Sequence, residues 1–324
     1  MVLCTLIATA VFALAITGLS LGTLAIPLGR IITTLRGDGD QATSLVVLNW
    51  RLPRIVMAAV IGGALGMAGA TFQSLVRNPL GSPDVIGFTT GAHTGALIVL
   101  IGFAADPVFV MLGALGGGLI TAIAVYAMAW RGGIEGYRLI LIGIAISAML
   151  NAVNIWLMVS ASLDAAMGAA MWGAGSLAGI TWTRAIPPML FCLVVMAIAL
   201  SQGRTLALLE MGDDLAGALG LDVHRTRLGL MILGVSLTAA ATAPTGPVTF
   251  IALAAPQLAQ RLMRSGSVTL AASAWTGALL LLSADLIGQH AFPGISLPVG
   301  VVSVSVGGLY LLWLLVGQRK IRIS

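Results

Sequence analysis

The sequence predicts an all-α integral membrane protein with about ten transmembrane helices, and three features of its 324 residues lead there. Hydrophobic side chains make up 59% and charged ones only 8%, with a mean hydropathy of +1.06, which leaves too little polar surface to coat a water-soluble globule of this size. The apolar runs lack the polar/apolar alternation of membrane-barrel strands, and they reach the roughly 20 residues that a helix needs to cross a bilayer. Charges and Pro/Gly clusters fall between the runs, as loops require.

Taken in order, the first run, 2–23, has no basic stretch ahead of it and no small-residue cleavage motif, so it reads as a retained span. The second, 54–75, lies between Arg54 and the RNPLGSPD turn at 77–84, and the third, 87–104, follows that turn. The fourth, 107–130, lies between Pro107 and Arg131; the fifth, 138–159, begins at Arg138; the sixth, 186–202, lies between Arg184 and Arg204. The run 228–263 is too long for one crossing and breaks at APTGP, 243–247, into a seventh span at 228–243 and an eighth at 248–263. The ninth, 269–289, follows Arg264, and the tenth, 297–317, runs into the basic tail QRKIRIS. An even number of spans puts both termini on one side, and the basic tail assigns that side to the cytoplasm. Arg77, Arg131, Arg138, Arg204, Arg225, Arg227, Arg261, Arg264, Arg319, Lys320 and Arg322 then fall inside, against Arg30, Arg36, Arg51, Arg54 and Arg184 outside.

Several function classes drop out. A net charge of +5 and a pI near 10.0 raise the question of nucleic acid, but the basic residues are dispersed singly between apolar runs and form no stripe. Cys4 and Cys192 lie far apart in apolar segments and read as small buried side chains, not as a disulfide or metal pair. The three histidines are scattered, no HExxH, CxxC or GxSxG occurs, and the absence of GxxxxGK[ST] means that this chain cannot cradle and cleave ATP itself. Ionisable residues inside the spans are few, chiefly Asp285 and His93, which is sparse for an ion-driven carrier. His93 reads as a helix-packing side chain bonded to a backbone carbonyl. Glycines at four-residue spacing, Gly62/Gly66, Gly87/Gly91/Gly95 and Gly113/Gly117, suit close helix contacts.

Seven of the 27 charged residues sit in the loop 203–227, the longest on the inner face. Asp213 or Asp214 can cap a short helix there, Leu215, Ala218 and Leu219 give it one apolar face, and Gly220 is a natural stop. Asp222 can cap a second short turn containing His224 and Arg225. The product is an amphipathic knob, either a partner contact or a solvated surface helix. In the fifth span, Gly143, Ser147, Asn151, Asn154 and Met158 recur at helical spacing on one face. Two asparagines do not face lipid cheaply, so the stripe either bonds to neighbouring helices or lines a central path; Ser303 and Ser305 in the last span are weaker candidates for the same lining.

Four ordered segments, WRLPRIVMAAVIGGALGMAGATFQSLVRNPLGSPDVIG (50–87), LLEMGDDLAGALGLDVHRTR (208–227), GPVTFIALAAPQLAQRL (246–262) and LPVGVVSVSVGGLYLLWLL (297–315), resemble the permease subunits of iron–siderophore and cobalamin ABC importers, the FecCD type. The resemblance implies a type II ABC importer permease fold over the single transmembrane domain 1–324, a non-catalytic subunit of the bacterial inner membrane. It implies as partners a second permease, different from this one, two ATPase subunits and a periplasmic binding protein. No cofactor is expected on this chain; ATP and Mg would sit on the ATPases. Segment 72–87 and LLEMGDD look most like members carrying a ferric catecholate, ferric enterobactin. In the family, the loop matching Gly212, Asp213, Asp214, Leu215, Ala218, Leu219, Gly220 and Leu221 is the coupling helix seated in the ATPase. Leu215, Leu219 and Leu221 would be its apolar anchor, with Asp213 and Asp214 capping the helix or pairing with the ATPase. Arginines matching Arg51 and Arg54 meet acidic residues of the binding protein; the alternative is snorkelling to lipid phosphate. Ser147, Asn151, Asn154, Met158 and Ser303 would line the translocation path. The sequence departs from the family's wording at Gln257, where a histidine is usual, and at Gln289, where an arginine can stand. The contrasting reading is a stand-alone proton-coupled siderophore or drug carrier.

Overall fold

The computed structural model describes residues 2–22, 24–103, 107–130, 136–264, 269–292 and 294–321; Arg131 and Arg322, two of the charges expected inside, lie outside them. The chain runs through α1 (Val2–Ser20), α2 (Leu28–Leu35), α3 (Gln41–Ser44) and a π-helical stretch, Leu45–Arg51, that continues into α4 (Leu52–Val76). There follow α5 (Pro83–Ile86), α6 (Phe88–Phe103), α7 (Pro107–Ala129), α8 (Gly136–Ser160), α9 (Leu163–Gly173), α10 (Trp182–Ser201), α11 (Gly203–Glu210) and α12 (Asp213–Ala218). The last four are α13 (Val223–Thr245), α14 (Ile251–Met263), α15 (Leu270–His290) and α16 (Val299–Ile321). Among the described residues there is no β-strand.

Among the described residues, seven helical segments are long and apolar enough to cross a bilayer: those of α1, α4 with its lead-in, α7, α8, α10, α13 and α15. The other three expected spans fall on shorter helices: the apolar α6 with 16 residues and the apolar Val299–Tyr310 part of α16, and α14 with 13, which is amphipathic and carries Gln257, Gln260 and Arg261. Both ends of α13 differ from the sequence reading for local reasons. Asp222, expected to cap a short second turn, accepts the Arg225 N–H at 3.1 Å and starts the long helix α13 itself, five residues before the span expected at 228. The expected break at 243–247 is real, but α13 carries through Pro244 to Thr245 and stops at Gly246, whose φ of +74° suits glycine.

The bundle is organised around α4, which is buried along most of its length because it is apolar or small on every side. In lipid no hydrophobic drive presses helices together, so close dispersion contact between small residues has to do it. α4 meets α15 at Gly62 and Gly66 against Ser273 and Gly277, so closely that a Cβ on either glycine of α4 would overlap backbone across the contact. α6 and α7 interlock in the same way through Gly91 and Gly95 against Gly113 and Gly117. Gly69 abuts the Ala252 backbone at the start of α14. α13, α14, α10 and α1 complete the shell, whereas α8 is the outlier, with Leu141, Ile144, Met149, Ile155 and Trp156 all exposed.

Candidate functional site

At one end of the bundle α4 stops at Arg77, which adopts the left-handed conformation (φ +52°) ahead of Asn78-Pro79. Its guanidinium turns to the loop expected to form the knob. Nε and Nη2 donate to the Leu209 carbonyl at 3.1 and 2.8 Å, and Nη2 also pairs with Asp213. Arg227, at the start of α13, reaches the same Asp213 oxygen at 2.9 Å. Ser74, one turn back on α4, donates to Glu210. Asp213 therefore joins α4, α12 and α13, and it is not the helix cap expected from the sequence: Gly212 occupies the N-cap, and Asp213 is the first residue of α12.

The C-terminal stop at Gly220 has the geometry foreseen. Leu221 N–H bonds to Ala216 O at 3.0 Å and Gly220 N–H to Gly217 O at 2.9 Å, a Schellman pair closed by Gly220 at φ +86°. Ala216 is fully buried, while Asp214 and Ala218 are exposed. Leu215 and Leu219 are 52% and 63% exposed. The apolar face of the knob thus points away from the subunit. Leu221, expected beside them as an anchor, turns inward and packs against the main core.

The elbow between α4 and α6 is fastened to the break between α13 and α14. Asp84 accepts the Thr89 hydroxyl at 2.6 Å and the Phe250 N–H at 3.3 Å, and Phe250 is held at φ +69°, a conformation that costs an aromatic residue energy and needs such support. Gln257 donates to the Pro79 carbonyl at 2.6 Å and Gln73 to the Leu253 carbonyl at 3.0 Å. The elbow is braced internally, and Gln257 is one of the braces. Desolvation in the elbow pushes the Asp84 carboxyl up from 3.8 to about 6, against the pull of its two donors. Between those values the folded chain binds a proton that the unfolded chain does not, so this contribution to stability falls as pH rises through that window. Asp84→Asn should flatten the profile of unfolding midpoint against pH there; an unchanged slope would assign it to another group.

At the opposite end, Arg54 forms a forked ion pair with Asp285 of α15, at 2.8 to 3.2 Å, and Gln289 donates to the same carboxylate at 2.8 Å. Asp285 is 1% exposed and the Arg54 side chain 19%. Arg51 donates to the Leu19 and Leu24 carbonyls, both at 2.6 Å, across Gly22, where a Cβ would strike the guanidinium. Both arginines are thus engaged within the chain. Trp182 donates to the Leu48 carbonyl at 2.7 Å, and Trp172 stacks on His93 at 5.6 Å, so His93 packs on a ring and not, as expected, on a carbonyl.

The polar stripe of α8 divides. Gly143 packs on the Ile86 backbone, and Ser147 bonds to the Gly143 carbonyl at 2.8 Å while abutting Gly87. Asn154 is 4% exposed with its amide unpartnered, Met158 is half-buried, and Asn151 is exposed. Ser303 is buried and bonds to Gly300 O at 2.9 Å beside an apolar cavity lined by Phe250 and Tyr310, whereas Ser305 is exposed. Among the described residues no three of His, Cys, Asp or Glu gather as a metal site. Sequence reasoning missed both ion-pair networks; the available signal was one acid, Asp285, and one base, Arg54, at the same expected depth.

Comparison with known proteins bears on what these surfaces serve. Residues 8–317 match the FecCD transport family. The chain is 47% identical to the ferric enterobactin transport system permease protein FepG of Escherichia coli over 320 residues, covering 99% of this chain and 97% of that one. It is 35% identical to the achromobactin transport system permease protein of Dickeya dadantii, covering 95% and 89%. Among solved structures, a metal-chelate-type ABC transporter in an inward-facing conformation superposes with a TM-score of 0.86 at 24% identity, over 97% of this chain and 98% of that one.

Proposed function

The chain belongs to the FecCD transport family, and on that premise we propose that it is the permease subunit of an ABC importer carrying ferric enterobactin across the bacterial inner membrane. The observation that carries the reading is the α12 knob, two exposed leucines on a helix flanked by Gly212 and Gly220. Apolar side chains presented in this way suit a groove on another protein, here the ATPase whose hydrolysis supplies the energy and holds ATP and Mg. In this reading the domain spans 1–324 with ten crossings, both termini and the loop 203–227 lie in the cytoplasm, and a second, different permease completes the pair. Asn151 and Met158 face the path between the two permeases, with Ser147 and the more buried Asn154 on the same face of α8, and Ser303 on α16 contributing to the lining. The periplasmic binding protein docks on the end bearing Arg51 and Arg54, whose internal bonds hold them in fixed positions for acidic partners.

Uptake of radio-iron-labelled ferric enterobactin by cells lacking the chain, restored with or without the ATPase, tests the assignment. Uptake should require both. Uptake that persists without the ATPase and collapses with an uncoupler would establish the stand-alone carrier instead. Leu215→Asp with Leu219→Asp should weaken ATPase association at least roughly 100-fold, the loss of two desolvated anchors. Undiminished co-purification of the ATPase with that variant would remove α12 from the contact.

A further inference from the structure

We propose that Arg77 is the positioning residue through which movement of α12 is delivered to α4, an inference that rests on the importer reading above. Gly212 and Gly220 flank α12 at φ +123° and +86°, and a side chain added at either would meet nothing within 4 Å. Backbone alone would let the knob swing without moving the spans. Three attachments oppose that swing: the buried Ala216, the Arg227–Asp213 pair to α13, and the Arg77–Asp213 pair to α4. Arg77 adds a second grip by donating two hydrogen bonds to the Leu209 carbonyl, so one guanidinium holds both α11 and α12.

The element receiving the push is suited to pass it on. Arg77 is the C-cap of α4, separated from the helix by no flexible linker. α4 is buried, interlocked with α15 at Gly62 and Gly66, and tied at its far end by Arg54 to Asp285. Close-packed helices with glycine contacts move as bodies and do not bend locally. At 1.5 Å per residue, the 25 residues of α4 carry a displacement about 37 Å, from the ATPase end to the docking end. Arg77 therefore sets how much of each hydrolysis event becomes movement of the outer end.

The test uses the complete importer in proteoliposomes, with ATP hydrolysis and ferric enterobactin uptake measured on the same preparation. Arg77→Gln should raise the number of ATP molecules spent per chelate transported about tenfold while the ATPase remains bound and active. A purely structural role would lower hydrolysis and uptake together, leaving that ratio unchanged, and that result overturns the proposal. Should Arg77→Gln fail to assemble, Arg77→Lys, which keeps the charge but loses the fork, is read by the same ratio; failure of both to assemble also overturns it. If the unaltered complex shows no ATP-dependent uptake, the importer reading itself has failed, which is a separate result.

Discussion

Arg54→Met is expected to destabilise the subunit by about 3–5 kcal/mol, because it leaves the Asp285 carboxylate without its cation at a position 1% exposed. The pair is forked, with three donor contacts from one guanidinium, and Gln289 takes a further lone pair, so little of the carboxylate's charge is left for water. Removing the cation leaves an anion among apolar helices, whereas removing both charges leaves only a shape change. The double variant Arg54→Met with Asp285→Asn should therefore recover most of the loss. Denaturant unfolding of the purified subunit in detergent measures both. The prediction also separates two roles for the arginine. If Arg54 served docking alone, Arg54→Met would unfold like the unaltered chain and lose only binding-protein affinity, most visibly at low salt. That outcome would falsify a structural role for the Arg54–Asp285 pair.

Gly69→Ala should cost still more relative to its size. The added methyl would lie inside the Ala252 backbone, at the start of α14 next to the Phe250 turn, and neither partner is a flexible side chain that can swing aside. Overpacking of a core typically costs about 1–3 kcal/mol; here it requires two helix backbones to separate, so about 3 kcal/mol or more is expected, with loss of folded subunit from the membrane. Gly116→Ala on α7 is the control: nothing lies within 4 Å of its added carbon, and it should be neutral or slightly stabilising. Equal behaviour of the two variants in yield and unfolding midpoint would show that the α4–α14 contact yields easily.

Some of this was legible in the chain as written. The Gly62/Gly66 and Gly113/Gly117 spacings mark real backbone contacts, and Gly220 ends α12 as its position predicted, because a left-handed helix stop is a property of a few adjacent residues. The stripe on α8 was legible as one helix face but not as to its surroundings: Asn154 is buried and Asn151 exposed only three residues away. The same limit applies to Leu215 and Leu221, both apolar residues of one loop, the first facing out and the second in. The helices α2, α9 and α11 also escaped notice, since each is short and lies in a segment read as a connection.

The sequence by itself determined the bilayer as solvent, helices as the spanning element, the family, and a short glycine-ended helix within 203–227, because each follows from composition or from stretches of residues near one another in the chain. Only the tertiary structure decided that Arg54 belongs to Asp285, 231 residues away, and that Arg77 belongs to Asp213, 136 residues away. The physical reason is that lipid is as apolar as a protein interior. Helices buried in the bundle and helices facing the membrane are then written in the same residues, and no periodicity of hydrophobicity tells one face from the other. Partner choice among the few charges is left to packing, which the glycine contacts of α4 set.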